Sequence, residues 1–191
     1  MLASTSHARL FVAFDTPPQM KAVMNEIKDR LRSSKAEVRW DSMDKFHCTL
    51  KFLGDTHADQ VAGIEEALAE IARDTHPFSV RYSAVGCFPN KREPRVVWIG
   101  IENGDGILDV FARRIDARLA SFGFERETRT FHPHVTLGRI KGRRNLASLL
   151  GIMETVTFES PLFTIGQFEL IRSELKPAGS VYTVIRSFTL T

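Results

Sequence analysis

Two short stretches of this sequence repeat one pattern of histidine and threonine. The first reads HCTL at residues 47–50, and the second reads HVTL at residues 134–137. In a β-strand, side chains two residues apart point to the same face. Each stretch therefore places a histidine and a threonine on one face and apolar residues, which we expect to be core, on the other. A single copy is most often a structural histidine, but two copies in similar contexts favour a shared chemical role.

Two histidines suit a reaction that needs one base and one acid. The ordinary imidazole pKa of ~6.5 allows either protonation state near neutral pH. Hydrolysis of a cyclic phosphodiester requires both, because a base must take a proton from water and an acid must protonate the departing ribose oxygen. The hydroxyls of Thr49 and Thr136 can bind the non-bridging phosphate oxygens, and Arg139 can add a charge-assisted contact.

Hydrophobic patterning predicts the elements that carry these motifs. Each half of the chain predicts a strand, a helix, a motif strand, a helix and a strand, in that order. In the first half these are a strand at 9–15, a helix capped by Thr16, the motif strand at 46–54, a helix at 56–73 and a strand at 77–86. The second half ends with two further predicted strands, at 162–172 and 181–190, around a turn.

The repeated order indicates an internal duplication. We predict an α+β fold with pseudo-two-fold symmetry, in which two antiparallel sheets face each other across a central cleft with helices outside. Each sheet would offer one histidine and one threonine to the cleft. Since no linker-like segment separates the halves, residues 1–191 are expected to form a single domain with two lobes, approximately 9–90 and 91–190.

Composition places the chain among ordinary globular proteins. It has 43% hydrophobic and 26% charged residues, and no run of ~18 apolar residues that could span a membrane. The N-terminus lacks the apolar region of a signal peptide, and two cysteines fit a reducing compartment, so we expect a cytoplasmic protein. A net charge of +3 permits an anionic substrate without arguing for nucleic acid by itself. Basic residues cluster at 91–95 and 139–144, where a solvated loop is the commoner explanation.

The paired motifs resemble the 2H phosphoesterase family, which is named for its two His-x-Thr motifs. Within that family, the chain is most similar to the RNA 2′,3′-cyclic phosphodiesterases, also called 2′-5′ RNA ligases. The similarity extends from about Arg9 to about Phe188. It is carried by RLFVAFD at 9–15, HCTLKFLG at 47–54, HPHVTLGR at 132–139, and RSEL at 172–175 followed by Gly179 and Tyr182.

The resemblance implies a site and a reaction. His47 and His134 correspond to the catalytic pair, with His47 as proton donor and His134 as acceptor, and Thr49, Thr136 and Arg139 correspond to the substrate-binding residues. The implied reaction is metal-independent hydrolysis of the 2′,3′-cyclic phosphate end of an RNA or nucleotide to a 2′-phosphomonoester. The resemblance also implies the bilobal α+β fold and no cofactor, and we expect a monomer that does not bind membranes.

Other interpretations stay open. The same residues could serve a 2′-5′ RNA ligase or 2′-5′ phosphodiesterase, or the chain could be a non-catalytic module that binds RNA ends or nucleotides. A binding module would not require a histidine in both motifs. His132 could join His134 and His47 in a metal site, since three imidazoles suit zinc, but no acidic residue adjoins either motif strand as a further ligand. Tyr182 is a candidate to stack on a base.

Overall fold

A computed structural model describes residues 7–102, 106–177 and 179–191. This part of the chain contains four α-helices, which are α1 (Pro18–Arg32), α2 (Ala58–Arg73), α3 (Ile107–Ala120) and α4 (Leu146–Thr155). A single 3₁₀ turn, Met43–Lys45, precedes the first motif. The nine strands are β1 (His7–Asp15), β2 (Val38–Trp40), β3 (His47–His57), β4 (Phe78–Phe88), β5 (Val96–Glu102), β6 (His134–Ile140), β7 (Phe163–Ile165), β8 (Gln167–Lys176) and β9 (Gly179–Thr189).

All nine strands belong to one antiparallel sheet. Their order is β7-β4-β5-β6-β3-β1-β8-β9, and β2 also pairs with β6. The two motif strands, β3 and β6, meet at the centre through a single pair of residues, Cys48 and Val135. The predicted α+β class is confirmed, and the two predicted sheets are the halves that join at this pair.

The sheet is strongly curled. Consecutive strands β7 and β8 are separated only by Gly166, yet β7 lies at one edge of the sheet and β8 lies next to the strand at the opposite edge. A connection of one residue can join strands so far apart in the sheet order only because the sheet bends until its two ends approach each other. The sequence predicted one continuous strand at 162–172, which is wrong because its two parts pair with different strands.

One face of the sheet packs against the helices and forms the main core. The residues of the motif strands that were expected to be core are buried there, with exposed fractions of 0% for Cys48, 6% for Leu50, and 0% for both Val135 and Leu137. Burying a side chain of this kind contributes about 1.5–3 kcal/mol. The alternation predicted from the two motifs is therefore confirmed, and it turns the histidines toward the other face.

Two local predictions were wrong. Thr16 was expected to cap α1, but the helix begins at Pro18 with Pro17 in the cap position. The backbone N–H of Thr16 instead donates to the carbonyl of Phe46, at 3.3 Å, beside the first motif. The first motif strand was expected to end at Gly54, but β3 continues to His57 because β1 keeps pairing with it as far as His7.

The two halves of the sheet do not correspond to the two halves of the chain. Strand β4 pairs with β5, and β8 pairs with β1, so each half of the chain contributes to both halves of the sheet. The division of one domain into lobes at approximately 9–90 and 91–190 stays a prediction. In the described part of the chain, no helix is long and apolar enough to cross a membrane.

A buried ionic network ties the two motif strands together indirectly. The ammonium of Lys51, on β3, donates to Asp116 of α3 at 2.6 Å and to the carbonyl of Glu125 at 2.5 Å. Asp116 also accepts hydrogen bonds from Arg126, at 2.7 Å, and from the backbone N–H of Glu127, at 3.0 Å. The network thereby fixes the segment that leads from α3 to His134.

Replacing Lys51 by alanine should therefore destabilise the fold strongly. The substitution leaves the buried carboxylate of Asp116 without its main partner, and breaking a buried pair in this way costs about 3–5 kcal/mol. Urea unfolding monitored by circular dichroism measures the loss. Lys91→Ala is the matched control, because Lys91 pairs with Glu154 where both side chains are exposed, and it should leave the unfolding midpoint nearly unchanged. Equal midpoints for the two variants would contradict a structural role for Lys51.

Candidate active site

The two motif strands bring both histidines and both threonines together on one face of the sheet. His47 and Thr136 flank the pair of Cys48 and Val135 at one end, and Thr49 and His134 flank it at the other. Because side chains alternate along each strand, the four predicted residues share the face opposite to Cys48 and Val135.

Each histidine ring is held by the backbone two residues before it. Nδ1 of His134 lies 2.6 Å from the carbonyl oxygen of His132. Because a carbonyl only accepts hydrogen bonds, Nδ1 carries the proton, and Nε2 of the neutral ring is free to accept one. The ring of His47 hydrogen-bonds in the same way to the backbone of Lys45. This arrangement fixes both rings and leaves each with one nitrogen for chemistry.

Aromatic side chains surround both histidines. The His47 ring lies 5.0 Å from the ring of Phe11 and 5.3 Å from that of Tyr182, measured between centroids. Phe11 and Tyr182 belong to a small apolar cluster that is separate from the main core. The ring of His134 lies 4.9 Å from that of Phe88. Tyr182, the candidate to stack on a base, therefore lies beside His47, and its stacking role stays a prediction.

Trp98 completes the wall beside His134. It is the β5 partner of Thr136, and its ring lies 6.4 Å from that of His134. The indole occupies the space above Gly86 and Gly100, where a side chain on Gly86 would collide with the ring and a Cβ on Gly100 would lie 3.3 Å from it. The two glycines therefore allow a large aromatic ring to lie close against the sheet.

Burial lowers the pKa of both histidines. The pKa of His47 falls to about 4, chiefly because the ring is desolvated, although its bond to the Lys45 backbone opposes the change. The charges of Lys21 and His134 lower the pKa of His47 further. Desolvation also lowers the pKa of His134 against the effect of its bond to His132. In the free protein, His47 is therefore neutral at pH 7, and a bound anion is needed to raise its pKa.

Arg139 lies in a small polar cavity next to this site. The cavity, which we call the Arg139 pocket, has a volume of about 70 Å³ and is also lined by Arg39, Asp41, Lys45 and Tyr182. Tyr182 belongs both to this pocket and to the wall around His47, so the two are continuous. None of the three cations has a salt bridge to any residue that the structure describes. The three cations outnumber the one carboxylate of the pocket, Asp41, on which they already act, so a net positive charge is left for an anion.

The sequence did not identify several residues of the site. Phe11 lies in an apolar run in which both faces of the strand are buried, so its pattern gave no sign of which face meets His47. Arg39 and Lys45 precede the first motif, and only the pairing of β2 with β6 brings Arg39 beside Arg139. Phe88 and Trp98 likewise reach His134 through strand pairing.

His132 lies outside β6 and is exposed. Its carbonyl oxygen holds His134, and its ring lies 6.0 Å from the ring of Phe88. Over residues 7–102, 106–177 and 179–191, no three His, Cys, Asp or Glu side chains converge as a set of metal ligands.

Comparison with known proteins connects this geometry to one family. The profile of the family described as LigT like phosphoesterase matches the chain twice, over residues 14–98 and again over 99–182. The chain is 37% identical to an RNA 2′,3′-cyclic phosphodiesterase from Methanothermobacter thermautotrophicus, over 95% of this chain and 98% of the relative. It is 34% identical to a protein of the same name from Aquifex aeolicus, over 95% and 97% of the two chains.

Solved structures show the same fold. A protein of Thermus thermophilus superposes with a TM-score of 0.80 at 27% identity, covering 95% of this chain and 97% of that one. E. coli LigT complexed with 3′-AMP superposes with a TM-score of 0.76 at 22% identity, covering 98% and 99%.

We expect NMR of the free protein to report the state of both histidine rings. His134 should be the Nδ1–H tautomer, because its Nδ1 faces a carbonyl oxygen, and His47 should remain neutral down to about pH 4. Ring ¹⁵N shifts followed through a pH titration measure both. Tyr182→Ala should raise the pKa of His47 more than that of His134, since it admits water to one ring only. A His47 pKa near its ordinary value in the unmodified protein would refute this account of its burial.

Proposed function

This chain belongs to the LigT-like phosphoesterase family, and from that premise we propose that it hydrolyses the 2′,3′-cyclic phosphate end of RNA to a 2′-phosphomonoester. One observation carries the proposal, namely that two His–Thr pairs lie side by side on one face and each ring keeps one free nitrogen. A base and an acid on either side of one phosphate are what this hydrolysis requires.

The proposed reaction uses each member of the site once. Nε2 of His134 takes a proton from water while the water oxygen forms a bond to phosphorus. The bond between phosphorus and the ribose 3′ oxygen breaks, and His47 donates a proton to that oxygen. The ester to the 2′ oxygen remains, so the product is a 2′-phosphate. Both histidines return to their starting protonation states when a proton moves from His134 to His47 through solvent.

Charge stabilisation in this scheme comes from the threonines and Arg139. Thr49 and Thr136 donate hydrogen bonds to the non-bridging oxygens, and Arg139 faces the phosphate from the adjoining pocket. The same anion acts on His47. An anion beside a buried imidazole raises its pKa, so binding of the substrate provides the protonated acid that the free protein lacks.

The assignment of acid to His47 and base to His134 follows the family resemblance, because the two motifs are nearly equivalent in geometry. We propose that no metal takes part, since the two histidines already supply both proton transfers. We also propose a cytoplasmic location and a monomer, as expected from the sequence.

Ligation is the second candidate function. With the 5′-hydroxyl of an RNA end in place of water, the same proton transfers would form a 2′-5′ linkage. A module that only binds RNA ends is less well supported, because binding alone gives no reason for a second histidine oriented by its own backbone contact.

Incubation with nucleoside 2′,3′-cyclic phosphates tests the reaction directly. We expect the 2′-phosphate to accumulate at an unchanged rate in EDTA, and chromatography that separates the 2′- and 3′-isomers measures it. If the product were mainly the 3′-phosphate, the leaving group would be the 2′ oxygen and not the 3′ oxygen. Activity that EDTA abolishes and zinc restores would overturn the metal-free mechanism and give His132 a role as a ligand.

A substrate with sulfur in place of the leaving 3′ oxygen separates the two histidines. Each of His47→Ala and His134→Ala should lower the rate on the normal substrate by roughly 10²–10⁴. A thiolate leaves easily near neutral pH because the thiol pKa is ~8.5, so the sulfur substrate needs no acid. His47→Ala should then regain much of its lost rate relative to the unmodified enzyme, whereas His134→Ala should not.

The opposite pattern of rescue would exchange the roles of the two histidines. Rescue of neither variant would indicate that the histidines act by binding the phosphate. Rates must be compared within each substrate, because sulfur also changes the intrinsic reactivity of the ester.

A further inference from the structure

A second and larger cavity lies beside the Arg139 pocket. It has a volume of about 260 Å³ and lies between the loop that precedes β5 and the loop that follows β6. Its charged lining residues are Arg92, Glu93, Arg95, Lys141 and Arg143. We call it the basic pocket, since it holds four cations and one carboxylate.

The cations of the basic pocket differ in their salt bridges from the cations next to them in the sequence. In the same two loops, Lys91 forms a salt bridge with Glu154 at 2.8 Å, and Arg144 forms one with Glu37 at 3.4 Å. None of the four cations that line the pocket has a salt bridge within the described part of the chain. The loops thus neutralise the cations that point away from the pocket and leave those inside it unpaired.

The walls of the basic pocket are held by backbone hydrogen bonds. The N–H of Ile140 donates to the carbonyl of Arg95 at 2.9 Å, and the N–H of Lys141 donates to the backbone carbonyl of Glu37 at 2.7 Å. On the other wall, the side-chain oxygen of Asn90 accepts from the N–H groups of Arg92 and Glu93, at 2.9 and 3.1 Å. The four cations outnumber the single carboxylate of Glu93, so their mutual repulsion persists, and an anion between them would relieve it.

The basic pocket begins one residue after Arg139 in the chain. Arg139 lines the smaller pocket, and the next two residues, Ile140 and Lys141, line the basic pocket. Along an extended strand, two residues span about 6.6 Å. A polyanion whose terminal group reaches Thr136 and Arg139 is therefore long enough to place its next charged groups at the basic pocket.

We infer that the basic pocket binds backbone phosphates of a single RNA strand, on the 5′ side of its cyclic end. The direction of the RNA strand in this inference rests on the proposed function, which places the cyclic end at the two histidines. The pocket would make the enzyme prefer oligonucleotides over mononucleotides without taking part in the chemistry. Phosphate contacts of this kind fix position and carry no base specificity.

Kinetics on two substrates test the inference. Arg95→Ala/Lys141→Ala removes two cations of the pocket, and Lys91→Ala/Arg144→Ala removes two paired cations from the same loops as a matched control. On a nucleoside 2′,3′-cyclic phosphate, both variants should match the unmodified enzyme. On a tetranucleotide ending in a 2′,3′-cyclic phosphate, the pocket variant should raise KM about tenfold with kcat unchanged, while the control should not. The same KM for both variants would overturn the inference.

Binding without turnover separates this inference from the proposed function. Fluorescence anisotropy with a labelled tetraribonucleotide carrying a terminal 3′-phosphate gives the affinity at several salt concentrations. The slope of log affinity against log salt should fall by about 1.4 in the pocket variant, since each lost phosphate contact to a single strand is worth about 0.7. An inactive protein that still shows this loss would refute the reaction and retain the pocket.

A free nucleotide is the other possible source of neighbouring phosphates. If the pocket variant lost inhibition by a nucleoside triphosphate but kept its affinity for the tetranucleotide, the RNA-strand assignment would be wrong. Melting temperatures of both double variants, measured by circular dichroism, should equal that of the unmodified protein, so that folding does not account for the change.

Discussion

The pair formed by Cys48 and Val135 is the contact on which the candidate site depends. It is the one described pairing between β3 and β6, and both residues are completely buried on the helix-covered face. Because neighbouring side chains in a strand alternate, burying this pair directs His47, Thr49, His134 and Thr136 to the opposite face. A slip of one residue in either strand would bury a histidine and expose the core, so packing on one face fixes the chemistry on the other.

The same sheet sets the electrostatics of the histidines. Phe11 and Tyr182 on one side, and Phe88 on the other, remove water from the two rings and lower their pKa values. The backbone contact two residues earlier opposes this effect in both rings. The free site therefore holds a neutral His47 close to a net positive charge, and in the proposed reaction the substrate anion changes the protonation state of that ring. In that proposal, the charge of the substrate serves both its own recognition and the acid–base chemistry.

Local sequence patterns predicted the parts of this arrangement that are local. The alternation in each motif predicted the core face, the spacing of Thr49 from His47 predicted their common face, and the resemblance predicted Arg139. The patterns could not show that β7 and β8 separate at Gly166, or that β2 brings Arg39 beside Arg139, because those facts concern pairing between distant segments. Trp98 was missed for the same reason, since only the pairing of β5 with β6 brings it to His134, whereas Phe11 was missed because both faces of its strand are buried.

The two halves of the site are alike in their motifs and unlike in their surroundings. On the β1 side of the centre, His47 meets the apolar cluster of Phe11 and Tyr182. On the β5 side, β6 leads from His134 through Arg139 to the unpaired cations of the basic pocket. A duplicated pair of motifs cannot by itself give a substrate a direction, because each motif offers the same groups. The unequal distribution of apolar surface and positive charge around the motifs can give the substrate a direction. An RNA strand, whose backbone is charged, binds best with its phosphates along the cationic side.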